Sequence, residues 1–90
     1  MKSLHSARYR QFLKLLIEAR RASGLSQQVV ADRLGRPQSF VSKCESGERR
    51  VDVVEFLAIA HIIGIDPLDV VGRMLEGSGP SRKRAKRADR

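Results

Sequence analysis

The chain has no tryptophan and a single cysteine, Cys44. One thiol allows no internal disulfide, which fits a reducing compartment. Aromatic residues are scarce: only Tyr9, Phe12, Phe40 and Phe56. A core must therefore be aliphatic, built from Leu, Ile, Val and Ala. No apolar run is long enough for a membrane span. The N-terminal "MKSLHSARYRQFLKLLIEARR" also lacks the uninterrupted apolar core of a signal peptide. A cytoplasmic protein with no membrane partner is the expectation. No strand pattern and no internal repeat occurs.

The chemistry of catalysis is missing too. There is no nucleophile with a plausible base, no carboxylate pair in a cleft-forming context and no Gly-rich phosphate loop. His5 and His61 have no cysteine or carboxylate at ligand spacing. No enzymatic activity, cofactor or metal is expected. Cys44 reads as core filler, His5 as a surface residue and His61 as a surface or interface residue.

What is abundant is positive charge. The 90 residues carry a formal net charge of +8. Six basic residues and one acid fall in the last eleven positions, "PSRKRAKRADR". The remainder is only mildly basic. This balance points to a polyanion, nucleic acid before membrane. The length suits one small domain. The expected organisation is a folded domain over 1–77 and a disordered basic tail over 78–90, which adds non-specific DNA contacts at most.

Helical periodicity runs through the rest. Tyr9, Phe12, Leu13, Leu16, Ile17 and Arg20 recur on one face of a helix over 6–22, capped by Ser6 or Ser3 and followed by Gly24. Ser26 caps a second helix with Val29, Val30, Ala31 and Leu34 inside, and Gly35 stops it. Pro37 at a first helical position opens a third, and "SGERR" is a loop. Asp52 caps a fourth, with Glu55 three residues on as in a capping box. That helix, "VVEFLAIAHII", is apolar on most of its circumference, so it is either the central helix or one that also meets a second subunit. Gly64 ends it. Asp66-Pro67 opens a fifth, "PLDVVGRMLE", with Asp69 in its first turn. The sum is a compact all-α domain of five helices.

The join of helices two and three is the most informative stretch. "QQVVADRLGRPQSFVSKCESG" leaves almost nothing between them. Ala31 sits at the crossing, Gly35 takes the turn, and Leu34, Val41 and Cys44 fill the wedge. These constraints describe a helix-turn-helix.

"LSQQVVADRLGRPQSFVSKCESGERR" resembles the lambda-repressor and Cro type of helix-turn-helix, often called the Xre type. The carrying residues are Ser26-Gln27, Val30-Ala31, Leu34-Gly35 and Glu45-Ser46-Gly47. Cys44 departs from it, because relatives more often have a large apolar or aromatic residue there. The resemblance spans residues 9 to 75 and implies that the outer face of helix three reads DNA. Gln38, Ser39 and Lys43, with Ser42 nearby, stand at the base-reading positions. A glutamine can pair with adenine through two hydrogen bonds, and lysine reaches guanine. Gln27 matches a phosphate-binding glutamine. Arg49 and Arg50 are expected against the phosphate backbone. The resemblance also pairs Arg20 with Glu45 in a structural ion pair. Phe40 keeps two readings, a contact with a thymine methyl or a place in the protein.

The function expected from this is that of a sequence-specific DNA-binding transcriptional regulator, a repressor of bacterial or phage type. It would bind a palindromic operator in double-stranded DNA as a homodimer. Ile62, Ile63, Ile65, Val70, Val71 and Leu75 exceed what so small a core needs and supply the expected dimer interface. Two rivals stand beside it. One is an antitoxin that binds a toxin protein and represses its own operon. The other is a largely non-specific binder driven by the tail.

Overall fold

The computed structural model describes residues 6–76. Five helices follow one another: α1 (Ala7–Ala22), α2 (Gln27–Leu34), α3 (Gln38–Ser46), α4 (Val53–Ile63) and α5 (Pro67–Glu76). No strand occurs among the described residues. Neither does any helix long and apolar enough to cross a membrane. The basic run after residue 80, with Ser3 and His5, lies outside the described residues.

Local chemistry sets the helix ends. The Ser6 hydroxyl accepts the Tyr9 N–H, and the Ser26 hydroxyl accepts the Val29 N–H. At α4 the capping box is complete: Asp52 accepts the Glu55 N–H at 2.7 Å, and the Glu55 carboxylate accepts the Asp52 N–H at 3.0 Å. Asp66 accepts the Leu68 N–H at the start of α5. Gly35 ends α2 at φ 73°, a left-handed conformation that turns the chain straight into α3. Pro37 differs from expectation by one position. It is the N-cap, with ψ 155°, and its carbonyl accepts the Phe40 N–H. Its fixed φ suits either position, and the extended ψ decides between them.

The core is aliphatic with an aromatic wedge. Phe12, Leu13 and Leu16 of α1 meet Val30 and Ala31 of α2, Phe40, Val41 and Cys44 of α3, and Phe56, Ile59, Ala60 and Ile63 of α4. Phe12 and Phe56 pack edge to face, with centroids 5.1 Å apart. Val29 and Leu34 are only half-buried. Val70 inserts from α5 and is 4% exposed. Ile63 and Val70 are thus core residues, and their assignment to a dimer interface is corrected. One stripe of α4 and Val70 of α5, with Met74 packed beside it, complete the core. Ile62 and Ile65 are half-buried against the same core. The outer sides of α4 and α5 remain apolar and uncovered: Val53, Val54 and Leu57, then Leu68, Val71 and Leu75, are exposed. α4 is therefore both the core helix and an apolar surface.

Ala31 has no exposed surface and lies where α2 packs on α3. Substituting Ala31→Leu forces the two helices apart and is expected to cost ~1–3 kcal/mol. Urea unfolding checks this. An unchanged midpoint would mean that the crossing is looser than it looks.

Candidate nucleic-acid interface

The site begins with a carboxylate. Glu45, near the end of α3, has a side chain only 11% exposed and points at the C-terminal part of α1. Arg20 meets it with two hydrogen bonds, Nε to Oε2 at 2.6 Å and Nη2 to Oε1 at 3.0 Å. The third arm of the guanidinium, Nη1, donates to the Leu25 carbonyl at 2.9 Å. Arg20 thereby joins α1, the α1–α2 turn and α3 at one point.

Two glutamines extend this network outward. Gln27 at the first turn of α2 donates through Nε2 to Glu45 Oε1 at 2.8 Å. Gln38 at the first turn of α3 donates through Nε2 to Gln27 Oε1 at 2.7 Å. An amide carries two N–H donors and one carbonyl acceptor. Each glutamine therefore keeps one N–H, and Gln38 also keeps its carbonyl oxygen. That remainder is the set a glutamine uses on adenine, while the N–H left on Gln27 sits at the amino end of α2, where an anion is favoured.

The rest of the outer face of α3 is polar. Ser39 and Lys43 are exposed and Ser42 is half-buried. The Lys43 carbonyl accepts the Ser46 hydroxyl and the Arg49 N–H, both at 3.1 Å, which ties the following loop onto the helix. Gly47 makes the turn at φ 87°. Phe40 resolves to the protein side: it is 8% exposed and faces the core. The guanidiniums of Arg36 and Arg49 lie 4.3 and 4.6 Å from its ring centroid.

The two loop arginines differ. Arg50 lies over the Tyr9 ring at 4.5 Å, and the Tyr9 hydroxyl accepts the Val51 N–H at 2.9 Å. Arg49 is held by Glu55, Nη1 to Oε1 and Nη2 to Oε2, each at 2.9 Å. The Arg49 guanidinium, and then the Asp52 backbone N–H, draw the Glu55 carboxyl below its usual value of 4.5. Arg36 reaches the same carboxylate at 3.9 Å. The Arg36–Phe40–Arg49–Glu55 cluster has no signature in local spacing, since it joins a turn, a helix, a loop and the next helix. Of its contacts, the sequence points only to the capping box of Glu55.

Cys44 is 1% exposed, and burial pushes its thiol above the usual range more than Arg49 draws it down. It fills space in the wedge. His61 is exposed. No group of three His, Cys, Asp or Glu among the described residues could hold a metal ion.

Removing either partner of the Arg20–Glu45 pair strands a charge that is only about a tenth exposed. The single variants Arg20→Met and Glu45→Gln are expected to lose up to ~3–5 kcal/mol, each more than the double variant, which strands no charge. A thermodynamic cycle without coupling would refute this. Glu55 gives a pH-dependent counterpart. Its folded value is depressed, so its contribution is full above the ordinary glutamate range and falls away as pH drops through the folded value. The melting-temperature advantage of the native chain over Glu55→Gln should shrink on acidification from neutral pH. An advantage that grew instead would contradict the geometry.

Comparison with known proteins follows the same lines. A family model described as a helix-turn-helix domain matches residues 11–79. A solved structure of an XRE-family like protein from Pseudomonas syringae pv. tomato str. DC3000 is similar at 49% identity with a TM-score of 0.80. The match covers 87% of this chain and 95% of that one. No curated protein matches significantly. With most of its length matched by the helix-turn-helix model and by a structure half identical to it, the chain belongs to the XRE-type helix-turn-helix family.

Proposed function

We propose that the protein is a sequence-specific DNA-binding transcriptional repressor of bacterial or phage type, acting as a homodimer on a palindromic operator. The family supports the broader reading, a DNA-binding transcriptional regulator. The observation that supports sequence-specific reading is the Glu45–Gln27–Gln38 relay. It fixes two amides at the rim of an exposed helix and leaves each with unused hydrogen-bonding capacity. Gln38 reads adenine, and Lys43 reaches guanine from one turn further along. Ser39 and Ser42 face bases on the same side. Gln27 and Arg50 take phosphates, which set register without reading sequence. A cytoplasmic location fits this role.

A nine-residue helix spans few base pairs, so useful specificity calls for two copies. The uncovered apolar sides of α4 and α5 suit a two-fold contact. Val53 and Val71 line one groove with Phe12, Phe56 and Met74, so exposed apolar residues of the two helices meet there. Val71 and Leu75 remain from the interface expected earlier, and Val53, Leu57 and Leu68 join them. Two recognition helices one turn of B-DNA apart, about 34 Å, would then read an inverted repeat.

Selection of bound sequences from a random duplex pool tests the reading, with an enriched inverted repeat as the expected result. On that operator, Gln38→Ala should weaken binding by ~1–3 kcal/mol and leave scrambled DNA nearly untouched. Arg50→Ala should weaken both about equally and make the salt slope shallower by ~1. A pool with no enrichment, or a Gln38→Ala loss equal on both duplexes, would sink the assignment of α3 as reader.

A further inference from the structure

Glu55 does more than its capping role requires. The α4 capping box needs one side-chain acceptor at this position, and glutamine serves as well as glutamate. Here the same side chain carries a full charge. Both its oxygens accept from Arg49 at 2.9 Å, in the paired geometry that arginine also offers a phosphate. A second guanidinium, that of Arg36, stands 3.9 Å from Oε2. The carboxylate is the covered partner, 17% exposed, whereas Arg36 and Arg49 are 46% and 41% exposed. Both cations also rest on the ring of Phe40.

The location of this cluster gives the charge its meaning. Arg36 stands two positions before Gln38, at the entry to α3. The Arg49 backbone N–H donates to the Lys43 carbonyl, so its anchor is the later half of the same helix. The two arginines therefore come from either end of α3 and converge on one carboxylate, which binds Arg49 through two hydrogen bonds and stands within ion-pair distance of Arg36.

We propose that Glu55 is a positioning residue for DNA recognition that stands in for a backbone phosphate, holding Arg36 and Arg49 on Phe40 and withholding them from DNA. The inference rests on the DNA-binding reading above and names how that site is restrained. A cation that meets a phosphate releases counterions and binds every sequence alike. With Arg36 and Arg49 retained by Glu55, contacts that read bases make up a larger share of the total.

Glu55→Gln tests this, because it keeps the cap and removes the charge. Binding to the selected operator and to scrambled duplex is measured across a salt series, with circular dichroism as the check of folding. The variant should bind scrambled duplex several-fold more tightly than the native chain at low salt. Its salt slope should steepen by ~0.9 for each arginine released to a phosphate. Its operator-to-scrambled ratio should fall. A slope unchanged or shallower overturns the proposal, and so does parallel weakening on both duplexes. Arg36→Gln is the second variant and does not depend on the first being folded. It should leave the native salt slope unchanged, whereas a slope shallower by ~1 would mean that Arg36 already sits on phosphate and would refute the proposal. A native chain without affinity for any duplex would sink both readings. Native binding with an unaltered Glu55→Gln slope sinks this one alone.

Discussion

Glu45 is the charge around which the proposed recognition surface is arranged. A carboxylate with about a tenth of its side chain exposed cannot remain unpaired. Arg20 neutralises it with two hydrogen bonds and uses its remaining arm on the Leu25 carbonyl. Those three contacts fix α1, the turn before α2 and the end of α3 relative to one another. Gln27 and then Gln38 are hung from the same carboxylate. The pair that holds the fold is thus also the root of the side chains that face outward. If Gln38 reads DNA as proposed, stability and recognition cannot be tuned separately, because loosening Glu45 disturbs the packing and unhooks Gln38 together.

The nine residues of α3 could not hold a helix alone in water. They do so because Phe40, Val41 and Cys44 are buried on one side, and because Gly35 and Gly47 turn the chain sharply at either end. The opposite side is then free to be polar. Glu45, within this helix, ties it to α1 and α2, whereas Glu55 reaches it from α4 through the loop. The first keeps its remaining valences aimed at a partner, whereas the second keeps nearby charge occupied.

Much of this was legible in the sequence where the cause is local. Ser26, Asp52 with Glu55, Gly35 and Gly64 mark helix ends through hydrogen bonds or backbone conformations that span a few residues. Ala31 announces a close crossing because nothing larger fits. The fixed φ of Pro37 suits both the cap and the first turn, and only its extended ψ in the fold makes it the cap. Ile63 and Val70 were misplaced for another reason: an excess of apolar residues says that some surface is left over, but not which side of the helix faces inward. Only the docking of α4 on α2 and α5 settles that. The Arg20–Glu45 pair, twenty-five residues apart, was accessible only through likeness to a family. The hold of Glu55 on two arginines, and the place of Phe40 beneath them, depended on contacts among four separate elements and left no pattern in the order of residues.

The proposed two-fold contact gains meaning from how α5 is fastened. Val70 secures it to the core, and α5 packs against α1, where Gln11 donates to the Arg73 carbonyl at 3.3 Å. α1 in turn packs against α3 and carries Arg20. A partner resting on Leu68, Val71 and Leu75 would therefore press on a helix joined through α1 to the reading helix, with no long flexible connection between. Close-packed interiors transmit displacement rather than absorb it. The spacing of two reading helices would then be set by packed side chains and one largely covered ion pair, which is what a fixed half-site separation on B-DNA demands.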